Sequence, residues 1–229
     1  MGALNKSLLG LMLCVVLAGC GGKALRWEPR VHVVRSGDTL QAIAFRYRID
    51  ARELAAWNRI DNPDLLFPGR KLRLSPPAGF KHPVKSSSGP PGATAPAAAV
   101  DPSQPAPKWQ WPSGGPLIAQ FGDTTSLGRG LDIGGKRGDF VLAAAPGRVV
   151  YRGSGLLGYG KLIILKHNES YLSAYGHNDA LLVSEGESVT GGQRIGKMGI
   201  GPGDRAVLHF EIRIKGKPVD PQQYLPARQ

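Results

Sequence analysis

Between residues 75 and 108 the chain carries nine of its 19 prolines, set among Ala, Ser and Gly. Proline lacks an amide hydrogen and fixes its own φ, so neither a helix nor an interior strand runs through such a stretch. The chain of 229 residues is therefore expected to be multidomain, with modules at 31–74 and 109–229 joined by a disordered linker over 75–108. Such a linker reaches roughly 30 Å as a flexible coil and roughly 100 Å as extended polyproline, so the second module is expected to sample the space around the first.

The N-terminus has the pattern of an export signal. Lys6 precedes an apolar run from Leu8 to Ala18, shorter than the ~20 residues that span a bilayer, and residues 1–19 read as a leader. It ends Leu17-Ala18-Gly19-Cys20, which resembles the bacterial lipobox. That resemblance implies lipidation of Cys20 after cleavage, with residues 20–30 as a tether. Gly21 and Gly22 follow in place of the Asp that retains lipoproteins at the inner membrane, so an outer-membrane lipoprotein facing the periplasm is expected. Cys14 leaves with the leader and Cys20 is lipidated, so neither is free for a disulfide. The net charge is +12, of which residues 1–74 hold +6. The polyanions within reach of an envelope protein are lipid head groups and peptidoglycan carboxylates. Nucleic acid is excluded as a partner by export and by the lack of a basic cluster interleaved with aromatics.

The first module reads as a small α+β unit of order βααβ. Strands are expected at 31–34 and 71–74. Two helix starts lie between them, Asp38-Thr39-Leu40-Gln41 and Asp50-Ala51-Arg52-Glu53, each read as a capping box led by its Asp. Leu40, Ile43, Ala44 and Tyr47 recur at helical spacing and make a core face, and Pro68-Gly69 marks a type II turn. Val-x-x-Gly-Asp-Thr-Leu at the start and Trp-Asn followed by Pro-Gly-x-x-Leu at the end make the unit resemble a LysM domain over its whole length. The resemblance implies binding of N-acetylglucosamine-containing glycan, hence peptidoglycan, at two loops: Gly37, Asp38, Thr39 and Leu40, and Asn62, Asp64, Leu65, Leu66 and Phe67. Capping and turn chemistry also accounts for Gly37 and Asp38 without a ligand.

From Trp109 the pattern is mainly β, with runs expected at 140–143, 148–152, 161–167, 171–175, 194–198 and 207–213. Leu162-Ile163-Ile164-Leu165 is apolar at every position, the mark of a strand buried on both faces. Leu208, Phe210 and Ile212 alternate with His209, Glu211 and Arg213, which places His209 on the face away from Leu208.

Gly-Leu-Asp-Ile, Gly-Tyr-Gly-x-Leu-Ile-Ile, Tyr-x-His and Leu-His-Phe-Glu-Ile-Arg make residues 111–225 resemble the LytM (lysostaphin-type) peptidoglycan metallopeptidases. A catalytic zinc takes imidazole and carboxylate ligands around an open position. In that family one ligand is a His four residues before the Asp, and the second His of His-x-His is another, the first assisting the chemistry. Here Asp132 and His209 remain, as does His177 of Tyr-x-His, but Gly128 and Val207 stand where the family has His. The resemblance thus implies a catalytically inactive homologue with no metal and no cofactor, its emptied site lined or flanked by Gly128, Arg129, Asp132, His177, Val207 and His209. Each of the polar residues is equally well read as structural, Asp132 as the cap of a turn and the two His as hydrogen-bonded remnants. His167 or Asp123 would be the substitute ligand of a weak zinc endopeptidase.

Lipobox, LysM, Pro/Ala-rich linker and a ligand-poor LytM domain together resemble the NlpD-type murein hydrolase activators. This implies a partner, a zinc-dependent N-acetylmuramoyl-L-alanine amidase opened by binding to the groove during septal peptidoglycan splitting and cell separation. A wall-binding tether that only grips peptide stems is the third reading.

Overall fold

The computed structural model describes residues 31–62, 66–80, 105–124 and 127–228. The leader, the tether with Cys20, most of the linker, and Asp64 and Leu65 lie outside the described residues.

In the first module β1 (Val31–Val33) pairs antiparallel with β2 (Lys71–Arg73), and α1 (Leu40–Tyr47) and α2 (Ala51–Trp57) lie between them in sequence. Asp50 caps α2 as its sequence foretells, its carboxylate accepting from Arg52 N at 2.8 Å and Glu53 N at 3.3 Å. At α1 the cap is one residue later than expected. Thr39 Oγ1 accepts from Ala42 N at 3.0 Å, while Asp38 turns back to accept from Arg35 N and to bind His32 Nε2, both at 2.9 Å. A buried imidazole with a carboxylate in reach outcompetes the capping geometry, because His32 is only 5% exposed and needs a partner. The turn at Pro68-Gly69 forms as expected, closed by Arg70 N to Phe67 O at 3.2 Å. Val34, Leu40, Ile43, Ala44, Leu54, Ile60 and Leu72 make the core of this module.

The second module is one branched, ten-stranded sheet. Its strands are β3 (Leu117–Ala119), β4 (Leu131–Gly134), β5 (Phe140–Leu142), β6 (Gly147–Gly153), β7 (Lys161–Lys166), β8 (Tyr171–Leu181), β9 (Ser188–Val189), β10 (Arg194–Ile200), β11 (Ala206–Ile214) and β12 (Lys217–Val219). They run in the order β3-β4-β11-β10-β8-β7-β6-β9, with β12 on β11 and β5 on β10. The expected runs all appear, β8 much longer than foreseen. The short β3, β4, β9 and β12 have no counterpart among the expected runs, since two to four residues carry too little alternation to read. Asp132 lies within β4, opposite His209 in register, and not at a turn.

β11 is the hub, pairing with β4, β8, β10 and β12. Leu208, Phe210, Ile212 and Ile214 face the main core with Leu131, Ile133, Ile163, Leu165 and Tyr175. Leu162 and Ile164 of β7 point to the opposite face, and all four residues of the run Leu162 to Leu165 are fully buried, as their pattern requires.

The first module covers that second face. Ala42 and Phe45 of α1 pack with Tyr151, Leu156, Tyr159, Leu162, Ile164 and Ala174 in one buried cluster, separate from the first module's own core. Arg46 Nη2 donates to Gly155 O at 2.9 Å and Arg52 Nη2 to Glu169 O at 3.3 Å. Free sampling of space by the second module, expected from linker length, therefore does not describe the pair: the two modules are packed together.

Candidate functional site

Val207, His209, Glu211 and Arg213 share the face of β11 opposite the main core, and all four are buried. A chain of charges runs along them. His209 Nδ1 meets Asp132 Oδ1 at 2.6 Å, His209 Nε2 meets Glu211 Oε1 at 3.1 Å, and Arg213 Nε donates to Glu211 Oε2 at 2.7 Å. Tyr159 Oη donates to Glu211 Oε1 at 2.7 Å and accepts from Arg213 Nη2 at 3.0 Å. The close approach of β4 that brings Asp132 to His209 depends on Gly130, where a Cβ would fall 2.1 Å from Phe210 O.

The electrostatics follow from this wiring. Burial disfavours a charged His209, but the carboxylates on its two ring nitrogens outweigh it and raise its pKa. Acceptor-only carboxylates on both nitrogens call for an imidazolium donating twice. Burial likewise opposes ionisation of Glu211, and Arg213 and His209 overcome it, holding the carboxyl well below the usual range. Asp132, His209, Glu211 and Arg213 then alternate in sign and sum to zero, the condition under which buried charges are tolerated. The Tyr159 phenol is pushed up to about 12, by burial first and by the Glu211 charge second. His177 has its ring 6.1 Å from that of His209 and is lowered by burial and then by the His209 charge.

Beside Asp132 the surface opens into a cavity of about 370 Å³ lined by Ile118, Ala119, Asp132, Pro202, Gly203, Arg205 and Val207. Of the six expected groove residues, Asp132 and Val207 line it. His209 lies beneath Asp132 with no exposed surface, and His177 packs beside it. Gly128 and Arg129 belong to the loop before β4 and do not line the cavity, Arg129 reaching Tyr159 Oη at 3.3 Å instead. Gly128 has φ 66, a left-handed conformation in which a side chain is strained, so glycine there also meets a backbone requirement. Ile118, Ala119, Pro202, Gly203 and Arg205 come from loops and strands that no motif marks. Ile118 and Ile200 are exposed apolar residues near this opening by position on β3 and β10, at 40% and 47%.

A zinc ion, which the LytM resemblance brings to mind, does not fit these residues. Both nitrogens of His209 are spent on carboxylates, and Asp132 bonds that ring directly. The two candidate substitutes are also committed: His167 binds Pro146 O and Ser173 Oγ, each at 2.7 Å, and Asp123 accepts from Gln120 N at 2.6 Å. Among the described residues no three His, Cys, Asp or Glu side chains are grouped so as to hold a metal.

In the first module Gly37, Asp38 and Thr39 form the loop into α1, and Leu40 is buried in the core rather than open to a ligand. Asn62 and Phe67 are exposed, Phe67 at 66%, and Leu66 packs on the core. The link from Asp38 through His32 to Tyr47 Oη at 3.1 Å braces the first loop and carries no motif of its own.

Residues 126–221 match Peptidase family M23 and residues 32–75 match the LysM domain. The Lipoprotein NlpD/LppB homolog of Pseudomonas aeruginosa is 41% identical, over 96% of this chain and 92% of that protein. Lipoprotein YgeR of Escherichia coli is 37% identical over 99% and 96%. Murein hydrolase activator NlpD of Escherichia coli is 51% identical over 55% of this chain and 33% of its own length. The catalytic domain of lysostaphin from Staphylococcus simulans is 25% identical over 48% of this chain and 90% of its own, with a TM-score of 0.44. Likeness along nearly the whole length of two lipoproteins, with LysM and M23 domains in this order, places the chain in the NlpD/LppB family of lipoproteins.

Proposed function

We propose that this protein is a non-enzymatic activator of a periplasmic zinc-dependent N-acetylmuramoyl-L-alanine amidase. It holds to peptidoglycan through the LysM loops and to the outer membrane through lipid on Cys20, and it acts in septal splitting and cell separation. The observation that carries this reading is the spent imidazole: His209 gives both nitrogens to Asp132 and Glu211, so the M23 frame persists without a metal cage. The cavity beside Val207 offers a partner an apolar wall from Ile118, Ala119 and Val207 with Arg205 at its edge. Names of relatives as murein hydrolase activators support the same reading. Activation is then a population shift. The activator must bind the open amidase better than the closed one, by about 5.5 kcal/mol for full reversal of a 1:99 equilibrium.

The test incubates the full chain with peptidoglycan sacculi, alone and with an added amidase, while zinc is measured in the protein. Cleavage only with the amidase, with substoichiometric zinc, is the expected result. Cleavage by the chain alone with one zinc per chain would establish the endopeptidase instead, and no effect in either digest would establish the tether. Ile118→Glu and Arg205→Glu change exposed side chains of the cavity and are expected to abolish activation without loss of fold.

A further inference from the structure

Arg213 is the largest fully buried side chain of the described residues, and its burial needs both domains. The M23 domain supplies Glu211 and Tyr159 to two of its nitrogens. The LysM domain supplies the rest: Phe45 O accepts from Nη1 at 2.6 Å, and the Phe45 ring lies 3.3 Å from the guanidinium carbon. A carbonyl in the last turn of α1 carries the partial negative charge of a helix C-terminus, which suits a cation. Three acceptors, Glu211 Oε2, Phe45 O and Tyr159 Oη, and the cation–π contact leave all three nitrogens partnered, the condition for burying a guanidinium.

The apolar surfaces around it match in the same way. Ala42 and Phe45 stand outside the LysM core, so the LysM domain by itself would leave them in water. On the other side Leu162, Ile164 and Tyr151 would be bared without the helix, and burying one Phe side chain alone is worth about 1.5–3 kcal/mol. At the rim, Gly216 has φ 77, and a Cβ there would sit 2.3 Å from Ile49 O. Only glycine lets the turn between β11 and β12 come this near the LysM backbone. A tether of some tens of residues gives an effective concentration near the millimolar range, so even a weak interface of this kind stays closed.

We propose that the face of the M23 sheet bearing Arg213 is a docking surface whose occupant is the LysM helix α1 of the same chain. The docked protein is one rigid body. In it α1 sits at one end of the same strand face whose other end opens into the cavity at Val207. Six steps along the strand lead from Val207 to Arg213, about 20 Å. Wall-binding loops and groove are thereby presented at a fixed spacing, a consequence that rests on the reading of those two sites given above.

Amide hydrogen exchange on the full chain tests the docking without reference to any amidase. In the wild type, segments 159–165 and 42–46 are expected to be protected together. Phe45→Asp, on the LysM side, and Gly216→Val, on the M23 side, are each expected to speed exchange at least tenfold across Leu162 to Leu165 and His209 to Arg213. Protection around Leu54 and Leu72 should persist, which shows that the LysM domain is still folded. Equal exchange over 159–165 in the wild type and both variants overturns the proposal, whatever the amidase assay gives.

Discussion

Glu211→Gln exchanges one oxygen for an NH2 group and leaves the volume of the side chain unchanged. Its consequences are set by what surrounds it. Glu211 Oε1 takes bonds from Tyr159 Oη at 2.7 Å and His209 Nε2 at 3.1 Å, and Oε2 takes one from Arg213 Nε at 2.7 Å. A glutamine offers one acceptor oxygen, so its NH2 group must face a donor on one side or the other. It also removes the negative charge that lies between His209 and Arg213, both with no exposed surface. Breaking a buried pair by removing one partner costs about 3–5 kcal/mol, because the remaining charge has lost its compensation. At about 2–4 °C per kcal/mol for a protein of this size, the melting temperature should fall by roughly 10 °C. Differential scanning calorimetry of the full chain at pH 7 measures it. The double variant Glu211→Gln with Arg213→Met removes both charges, and it should lose less than the sum of the single variants by about 2 kcal/mol. A drop below about 3 °C for Glu211→Gln, or additive losses in the double variant, would refute the argument that this charge chain is structural and mutually compensated.

Two further expectations concern other parts of the molecule. His167, between Pro146 O and Ser173 Oγ and edge-on to Trp109, is lowered by burial from 6.5 to about 4. From pH 6.5 down to about 4 the unfolded chain therefore binds a proton that the folded chain refuses, and stability falls with pH. The ring is partly open to solvent, so the loss is at most about 3 kcal/mol. Urea unfolding of wild type and His167→Gln at pH 6.5 and 4.5 should show a smaller loss in the variant. Asp50→Ala removes the carboxylate that accepts from Arg52 N and Glu53 N, and should cost about 1 kcal/mol, read as a lower urea midpoint with an unchanged slope.

Much of this arrangement can be read from residues alone, and the failures share a cause. Leu208, Phe210 and Ile212 against His209, Glu211 and Arg213 declare two faces of one strand, and the fold obeys them. The all-apolar run Leu162 to Leu165 declares burial on both faces but does not name the cover. That cover is signalled by Ala42 and Phe45, which lie off the Leu40, Ile43, Ala44 and Tyr47 face of α1 and have no role in the LysM core. Periodicity identifies a leftover apolar face and leaves its partner unspecified. The same limit applies at the cavity. Motif comparison finds Gly128, Asp132, Val207 and His209, while Ile118 and Arg205 arrive through strand pairing and turn geometry that carry no local signature. Asp38 shows the limit at short range, where a histidine six residues earlier claims a carboxylate that a capping box would use.

The bond between Arg213 and Phe45 O joins residues 168 positions apart, and this bears on how the chain folds. Contacts of such separation close late, after local structure has formed. The LysM unit draws its core from residues close in sequence, and it precedes the M23 segment during synthesis. Its helix is then formed before β7, β8 and β11 exist, and it can act as a template on which the last layer of the sheet condenses. Until that contact closes, Leu162 and Ile164 line an uncovered sheet face, an apolar surface of the kind that favours aggregation.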